Sequence, residues 1–477
     1  MSGFFEATAM RSVTAGTLLW RPPSPSGAPA HGASIDTRTI RPGQVFFALR
    51  GERVDGHAYL AAAAGAGASA AVVERGRVSA SEARTLGAER MAVLEVADGR
   101  AALLAMARAY RRQLGATRVV AVTGSNGKTT TVRLLDQVLG ASLTGSASIK
   151  SYNNELGVPL TILNAARGDH YLVCEVGMSL PGEIRKLAAV VRPDVAVVTS
   201  IGRAHLGGLG STEAIAREKL SLFTELEPGG MAVAPEHPLV PAEPAPAGSV
   251  TLRVGSSPRA DVRIGGIEAG PDGVAFTLND RRRFRTRLLG RHNAQNAACA
   301  VAVAQRLGLD DAAIVPALAA AQGPPMRLDR REIAGVTVIN DAYNANPESM
   351  VAAATALVDL TPGARRRVLV MGAMLELGEA AASIHAEIGS AIARLIADGR
   401  GPDAVVLVGR GAEPAAEPLH GVLGARGVRL VPGVGDGRWI LGTVASGDAL
   451  LLKGSRGIGL ERLAGVLEEA ERAQPAG

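Results

Sequence analysis

The segment that most constrains this chain is Thr123-Gly124-Ser125-Asn126-Gly127-Lys128-Thr129-Thr130. It follows Arg118-Val119-Val120-Ala121-Val122, which is apolar from Val119 onward and reads as a buried strand. It precedes an apolar-periodic stretch that reads as a helix. A Gly-rich turn between strand and helix is the setting of a phosphate loop, in which backbone N–H groups and the helix start face the anion. Gly124, Ser125, Asn126, Gly127 and Thr130 would form the cradle, Lys128 would reach the terminal phosphates, and the Thr129 hydroxyl would hold Mg²⁺. The long form of the motif wants Gly where Val122 stands, but the Gly-x-x-Gly-Lys-Thr core keeps the mechanics. The competing reading is a Gly-rich turn with a chance lysine.

Lysine usage adds weight to that loop. Of 51 basic residues only five are lysines: Lys128, Lys150, Lys186, Lys219 and Lys453. Arginine stays protonated in a protein, whereas lysine can act as a neutral amine or a compact point charge. Where arginine is the default cation, a retained lysine is a candidate for such work.

The 477 residues allow three domains, at roughly 150 residues each. Residues 1–112 mix short apolar runs (45–49, 70–73, 91–94) with helical stretches (58–64, 99–114) and read as a small α/β domain. Residues 113–322 continue with apolar strands at 171–176 and 195–199, the pattern of a doubly wound, mostly parallel sheet covered on both faces. A Pro/Ala-rich loop follows at 234–248, then an antiparallel appendage at 252–289 and a helix at 294–307. Gly-Pro-Pro-Met at 323–326 reads as a linker. Residues 323–477, with strands at 336–339, 367–371, 404–408 and 449–452, read as a Rossmann-like α/β domain.

Charge and composition exclude some classes. A formal charge of +6 is small and dispersed over this length, with no basic run dense enough for a nucleic-acid surface. Residues 1–20 lack the basic start and apolar core of a secretory signal, and the Ala/Gly-rich stretch 58–73 is too short to span a bilayer. The expectation is a cytoplasmic protein without membrane insertion. Cys174 and Cys299 sit in apolar surroundings and read as buried reduced thiols.

In a parallel sheet, ligands gather at the carboxyl ends of the strands. Glu175 ends one strand and His205 follows another, so both are candidates for a second divalent ion near the loop. Each also has a plain reading, Glu175 as a helix cap and His205 as a hydrogen-bonded loop residue. Lys219, in Ala216-Arg217-Glu218-Lys219, reads by spacing as a solvated helix residue. If buried among metal ions, its amine could take up CO₂ and become a metal-binding carbamate.

Together these segments resemble the Mur ligase family. The resemblance rests on residues 123–130, Glu175-Val-Gly-Met, the His205 loop, Lys219, Gly290-Arg-His-Asn-Ala-Gln-Asn296, Met326-Arg327, and Asn340-Asp341-Ala-Tyr-Asn-Ala-Asn-Pro347, in family order. It runs through nearly the whole chain, and the family uses the shortened phosphate loop. Residues 36–38, 42–51, 152–159, 343–347 and 453–456 resemble the branch that handles a dipeptide. The Asp-Asn-Pro-Arg segment expected of the branch adding a diamino acid is absent from the sequence.

The resemblance implies an ATP-dependent ligase of peptidoglycan precursor synthesis. It would activate UDP-N-acetylmuramoyl-tripeptide as an acyl phosphate and join it to D-alanyl-D-alanine, with ATP and Mg²⁺, as a monomer. It implies catalytic roles for Lys128, Lys219, His205 and Arg327. Thr129, Glu175, His205 and carbamylated Lys219 would serve the metal ions. Asn296 would touch adenine, Arg327 the terminal phosphate and Asp341 the ribose. Ser34, Asp36, Thr37 and Arg38 would face the uridine nucleotide, and Asn153 and Asn154 the muramoyl peptide. Tyr343, Asn344, Asn346 and Lys453 would serve the dipeptide, although Asn346-Pro347 is also an ordinary helix start and Lys453 could pair with any carboxylate. Two alternatives stay open: a sibling ligase using another amine, and a nucleotide switch that hydrolyses ATP without ligating.

Overall fold

Arg118–Thr123 is buried at every residue after its first, so it must lie inside a sheet covered on both faces. In the computed structural model, which describes residues 3–23, 28–87, 90–149 and 151–473, it is an inner strand of a nine-stranded sheet. Tyr171–Glu175 pairs on one side of it and Val195–Val198 on the other, both parallel. The chain thus winds outward in both directions from Arg118–Thr123, and the crevice at such a switch point opens at the strands' carboxyl ends. This topology places the 123–130 loop between the end of Tyr171–Glu175 and the loop that follows Val195–Val198. The helix Lys128–Gly140 buries Val132, Leu134, Leu135, Val138 and Leu139, which seats its start at the mouth of the sheet.

One sequence expectation is corrected here. The antiparallel appendage at 252–289 is antiparallel only from Val262–Gly270 onward, through Gly273–Leu278 and Arg282–Thr286. Val250–Gly255 instead pairs parallel with Met231–Pro235 and extends the central sheet. The Pro-rich stretch 236–249 provides the crossover that a parallel pair requires.

The N-terminal unit is a five-stranded sheet, parallel except for its edge strand Thr17–Trp20. Its helix Gly99–Arg111 buries Leu103, Met106 and Tyr110 in a core shared with Val119, Leu160 and Leu172 of the central unit. The C-terminal sheet has six strands, with Val336–Asn340 and Arg366–Gly372 flanking Asp448–Lys453 in parallel. The carboxyl ends of those strands carry Asp341, Lys453 and the 373–377 loop to one edge. Among the described residues no helix is long and apolar enough to cross a membrane. Both cysteines are buried and free, and burial pushes their thiols up to about 12, so neither is a thiolate at neutral pH.

Candidate active site

The carboxyl edges of the central and C-terminal sheets face one cavity of about 1480 Å³. Lys128, Glu175, His205, Asn296, Arg327, Asp341 and Lys453 all line it.

The loop is shaped by close backbone approach. Gly124 (φ 150°) and Gly127 (φ 84°) have dihedrals that L side chains rarely adopt. A Cβ at Gly124 would run into Thr199 Oγ1, and one at Gly127 into Asn296 Oδ1. The 199–202 segment braces the turn: Ser125 N donates to Ser200 O at 2.9 Å and Asn126 N to Ser200 Oγ at 2.8 Å. Ser125 Oγ also donates to Gly202 O at 2.9 Å. Lys128 Nζ lies folded back on its own loop, donating to Gly124 O at 2.7 Å. Desolvation in the deep cavity lowers its pKa, Glu175 and Glu376 oppose that, and Arg327 reinforces it.

Glu175 is 1% exposed. Asn153 Nδ2 donates to its Oε1 at 2.8 Å, while its Oε2 is buried without a hydrogen-bond partner. An orphaned carboxylate oxygen within electrostatic reach of Lys128 is a high-energy arrangement unless a cation joins it. An oxygen donor beside a phosphate site fits Mg²⁺, which typically takes one or two carboxylates plus substrate phosphates. Among the described residues no three His, Cys, Asp or Glu side chains gather as a self-sufficient metal cage.

His205 has a left-handed backbone (φ 64°), and its Nδ1 lies 2.6 Å from Glu376 Oε2 of the C-terminal unit. The contact is close, but its alignment misses hydrogen-bond geometry. It holds the Glu376 carboxyl below its ordinary range. The solvated-helix reading of Lys219 fails, because the residue is 1% exposed. Burial first, and Lys128 second, hold its pKa well below the ordinary lysine value. Its amine has no hydrogen-bond or ion-pair partner among the described residues.

The C-terminal unit reaches across the cavity through several side chains. Arg327 Nη2 donates to Thr129 Oγ1 at 3.1 Å, and its guanidinium lies 4.4 Å from the centre of the Tyr343 ring. Tyr343 Oη donates to Ser151 Oγ at 2.5 Å. Asn346 caps the helix Pro347–Leu360 in a capping box and exchanges amide hydrogen bonds with Asn126. Lys453 Nζ pairs with Asp341 Oδ2 at 2.7 Å and donates to Asn344 O at 2.9 Å. Asn346 and Lys453 therefore already have partners within the chain, one as a helix cap and the other in an ion pair. The Asn344 side chain lines the cavity and makes no hydrogen bond among the described residues.

Not every expected residue gathers here. Asn154 lines the cavity, but its Oδ1 accepts from Leu156 N and Gly157 N at 3.1 and 3.0 Å. Ser34, Asp36, Thr37 and Arg38 lie outside the lining, in the N-terminal unit. There Arg38 clamps Asp36 with 2.9 and 2.7 Å contacts and holds its carboxyl below the usual range. Arg38 is within electrostatic reach of Tyr59 and Tyr152, both exposed. Sequence reasoning assigned no role to Tyr59, Ser151, Glu376 or Arg203, which bridges Glu348 and Glu387 at 3.0 and 2.7 Å.

Three family profiles match the chain in order. They are the Mur ligase family catalytic domain over residues 29–111, the Mur ligase middle domain over 122–304, and the Mur ligase glutamate ligase domain over 326–456. Relatives named UDP-N-acetylmuramoyl-tripeptide–D-alanyl-D-alanine ligase include one from Bacillus subtilis, 34% identical over 91% of this chain and 92% of that protein. The chain belongs to the Mur ligase family. A relative of the same name from Mycobacterium leprae is 35% identical over 91% of this chain and 92% of its own length. The crystal structure of MurF from Acinetobacter baumannii superposes with a TM-score of 0.82 at 32% identity, covering 98% of this chain and 99% of that one. MurF from Thermotoga maritima in complex with ADP superposes at 0.76 with 28% identity, covering 93% and 98%. Over nearly its whole length this chain thus shares its fold with solved MurF structures.

Proposed function

We propose that this chain joins D-alanyl-D-alanine to UDP-N-acetylmuramoyl-tripeptide, consuming ATP and releasing ADP and phosphate, in peptidoglycan precursor synthesis. The observation that carries this reading is one cavity, walled by the carboxyl edges of two sheets, that holds the phosphate loop, Glu175 and Arg327 together. The names of relatives aligned over nine-tenths of the chain support the choice of substrates.

A carboxylate is a poor acyl donor at neutral pH, because its leaving group would be an oxide. Attack by the tripeptide carboxylate on the terminal phosphorus of ATP forms an acyl phosphate and expels ADP. The dipeptide amine then adds to the carbonyl, and phosphate leaves from the tetrahedral intermediate. Lys128 would reach the terminal phosphate with the donors that its Gly124 O bond leaves free, and Arg327 would leave Thr129 to meet the same charge. Asn296 lies against the loop for adenine contact, and Asp341, fixed by Lys453, would hold ribose hydroxyls. Mg²⁺ held by Thr129 and Glu175, with a second ion held by His205 and carbamylated Lys219, would neutralise charge on the transferring phosphoryl group. With Nδ1 of His205 facing Glu376, its Nε2 is the atom left for ligation.

Asn153 and Asn154 would lie along the muramoyl peptide. The uridine nucleotide would meet Ser34, Asp36, Thr37 and Arg38, where Tyr59 and Tyr152 offer flat faces for a base. Asn344, beside Tyr343, is the best-placed free amide for the dipeptide, with Asn346 and Lys453 shaping the pocket around it. We assign residues 1–112 to nucleotide-peptide binding, 113–322 to ATP and 323–477 to the amine substrate. The enzyme would act as a monomer in the cytoplasm.

The test is phosphate release by purified protein with ATP, the UDP-muramoyl tripeptide and a panel of amino acids and dipeptides. Release should require both the tripeptide and D-alanyl-D-alanine. Release without any amine would convert the reading to a nucleotide switch, and a preference for a single amino acid would convert it to a sibling ligase.

A further inference from the structure

The cavity lining includes a charged group to which sequence reasoning gave no role. Arg100, at the start of the helix Gly99–Arg111 in the N-terminal unit, pairs with Glu155 Oε1 of the central unit. Lys186, on the helix Glu183–Val191, approaches Glu155 Oε2 at 3.5 Å. All three side chains line the cavity. Two cations therefore share one carboxylate. The neighbouring Glu183 caps its own turn, its Oε2 accepting from Ser179 N and Leu180 N at 2.6 and 2.9 Å.

The arrangement leaves binding capacity unused. The Lys186 side chain is 57% exposed and that of Arg100 is 43% exposed. The long Glu155 contact is the one hydrogen bond of the Lys186 ammonium among the described residues, although an ammonium carries three donors. Apart from Glu155, Arg100 has only a 3.4 Å contact to Arg50 O. Lysine is rare in this chain, yet Lys186 lines the same cavity as Lys128 and Lys453.

We propose that Arg100 and Lys186, spaced by Glu155, form a subsite for a free carboxylate of the peptide acceptor, one other than the carboxylate that is phosphorylated. This rests on the ligase reading above. The name of one Acinetobacter baumannii structural neighbour spells its acceptor as UDP-N-acetylmuramoylalanyl-D-glutamyl-2,6-diaminopimelate. A peptide of that kind keeps carboxylates that do not react, on the glutamyl unit and on the diamino acid. An unreacting carboxylate brought into a cavity costs free energy unless a cation meets it, and it must be kept from the transferring phosphoryl group. Two cations from different units, on the cavity lining beside Glu155, would offset that cost. They also tie acceptor binding to the seating of the N-terminal unit on the central one.

The experiment measures KM and kcat for three acceptors with the wild-type chain and with Lys186→Gln. One acceptor carries both unreacting carboxylates. One has the glutamyl carboxylate as its amide, and one has lysine in place of the diamino acid. Lys186→Gln should raise KM for the full acceptor about tenfold, the scale of one charge-assisted hydrogen bond, with kcat little changed. The acceptor lacking the bound carboxylate should show a high KM with wild type and no further rise in the variant. Which acceptor behaves so identifies the carboxylate. An equal KM rise for all three acceptors, or none for any, would overturn the inference while leaving the ligase reading intact. Absence of wild-type ligation with every acceptor would overturn both.

Discussion

Arg327 Nη2 donates to Thr129 Oγ1 at 3.1 Å, joining the first residues of the C-terminal unit to the start of the phosphate-loop helix. The backbone that presents Arg327 is unusual, for Met326 (φ 59°) and Leu328 (φ 51°) on either side are both left-handed. Such residues cost of order 1 kcal/mol each and persist where surrounding contacts over-determine them. Here those contacts are the 4.4 Å stacking on Tyr343 and the 3.2 Å bond from Leu328 N to Asp341 Oδ1. Arg327→Lys keeps the charge and loses the planar fork and the stacking. We expect kcat for tripeptide-dependent phosphate release to fall at least about tenfold, by analogy with single-donor losses at charged transition states. An unchanged kcat would remove Arg327 from the terminal phosphate.

Lys128 presents a different case, because its amine already has a partner. The 2.7 Å bond to Gly124 O uses one of the ammonium's three donors and holds the side chain over its own loop, which leaves two donors for a phosphate. Lys128→Ala should lower kcat by the equivalent of about 2 kcal/mol or more. The fold should persist, since the loop retains the Ser200 and Gly202 braces. Turnover near that of the wild type would contradict the phosphate-loop assignment.

Asn346 joins two functions that substitutions can separate. Its Oδ1 accepts from Ser349 N at 2.9 Å as a helix cap, and its Nδ2 donates to Asn126 Oδ1 at 2.7 Å across the cavity. Asn346→Ala should cost about 1 kcal/mol of stability from the lost cap and also lose the cross-cavity bond. Asn126→Ala loses only the latter. Thermal melts should show the larger Tm drop for Asn346→Ala, while both variants raise KM for ATP or the dipeptide. Equal melting of the two would mean that the cap contributes little here.

The phosphate loop was legible because its signal is local: a buried strand, two glycines and a helix start lie within a few residues of one another. The placement of Glu175 and His205 followed from one topological rule about strand ends. What the sequence did not disclose lies in contacts between units. Glu376 is an ordinary surface acid until His205 is brought to it from the central unit, and the engagement of Asn346 depends on Asn126, far away in sequence. The parallel pairing of 250–255 was missed because a strand with mixed burial carries no local mark of the direction of its partner. Lys186 is instructive: lysine scarcity pointed to it, but no local motif said what it does. Lys150, marked out by the same signal, lies outside the described residues.

Lys219 offers a last prediction, in two parts that must agree. It is buried without a partner, and desolvation and the nearby Lys128 hold its pKa well below the ordinary value of 10.5. An unfolded lysine keeps its proton up to about 10.5, while the folded one releases it at lower pH. Between those two points the unfolded state binds more protons, so stability rises with pH across that window and is lost again as pH falls. Without bicarbonate or nucleotide, Lys219→Met should therefore melt higher than wild type near pH 7, and the gain should shrink toward pH 10. The same depressed pKa supplies the neutral amine that CO₂ needs to form a carbamate, an anion that would pair with a metal ion. Lys219→Arg cannot form one and should abolish ligation with folding near intact, whereas Lys219→Ala should recover part of its activity with added small carboxylates. Full ligation by Lys219→Arg would remove the carbamate, and a stability gain that grows with pH would show that the buried amine is not the group under strain.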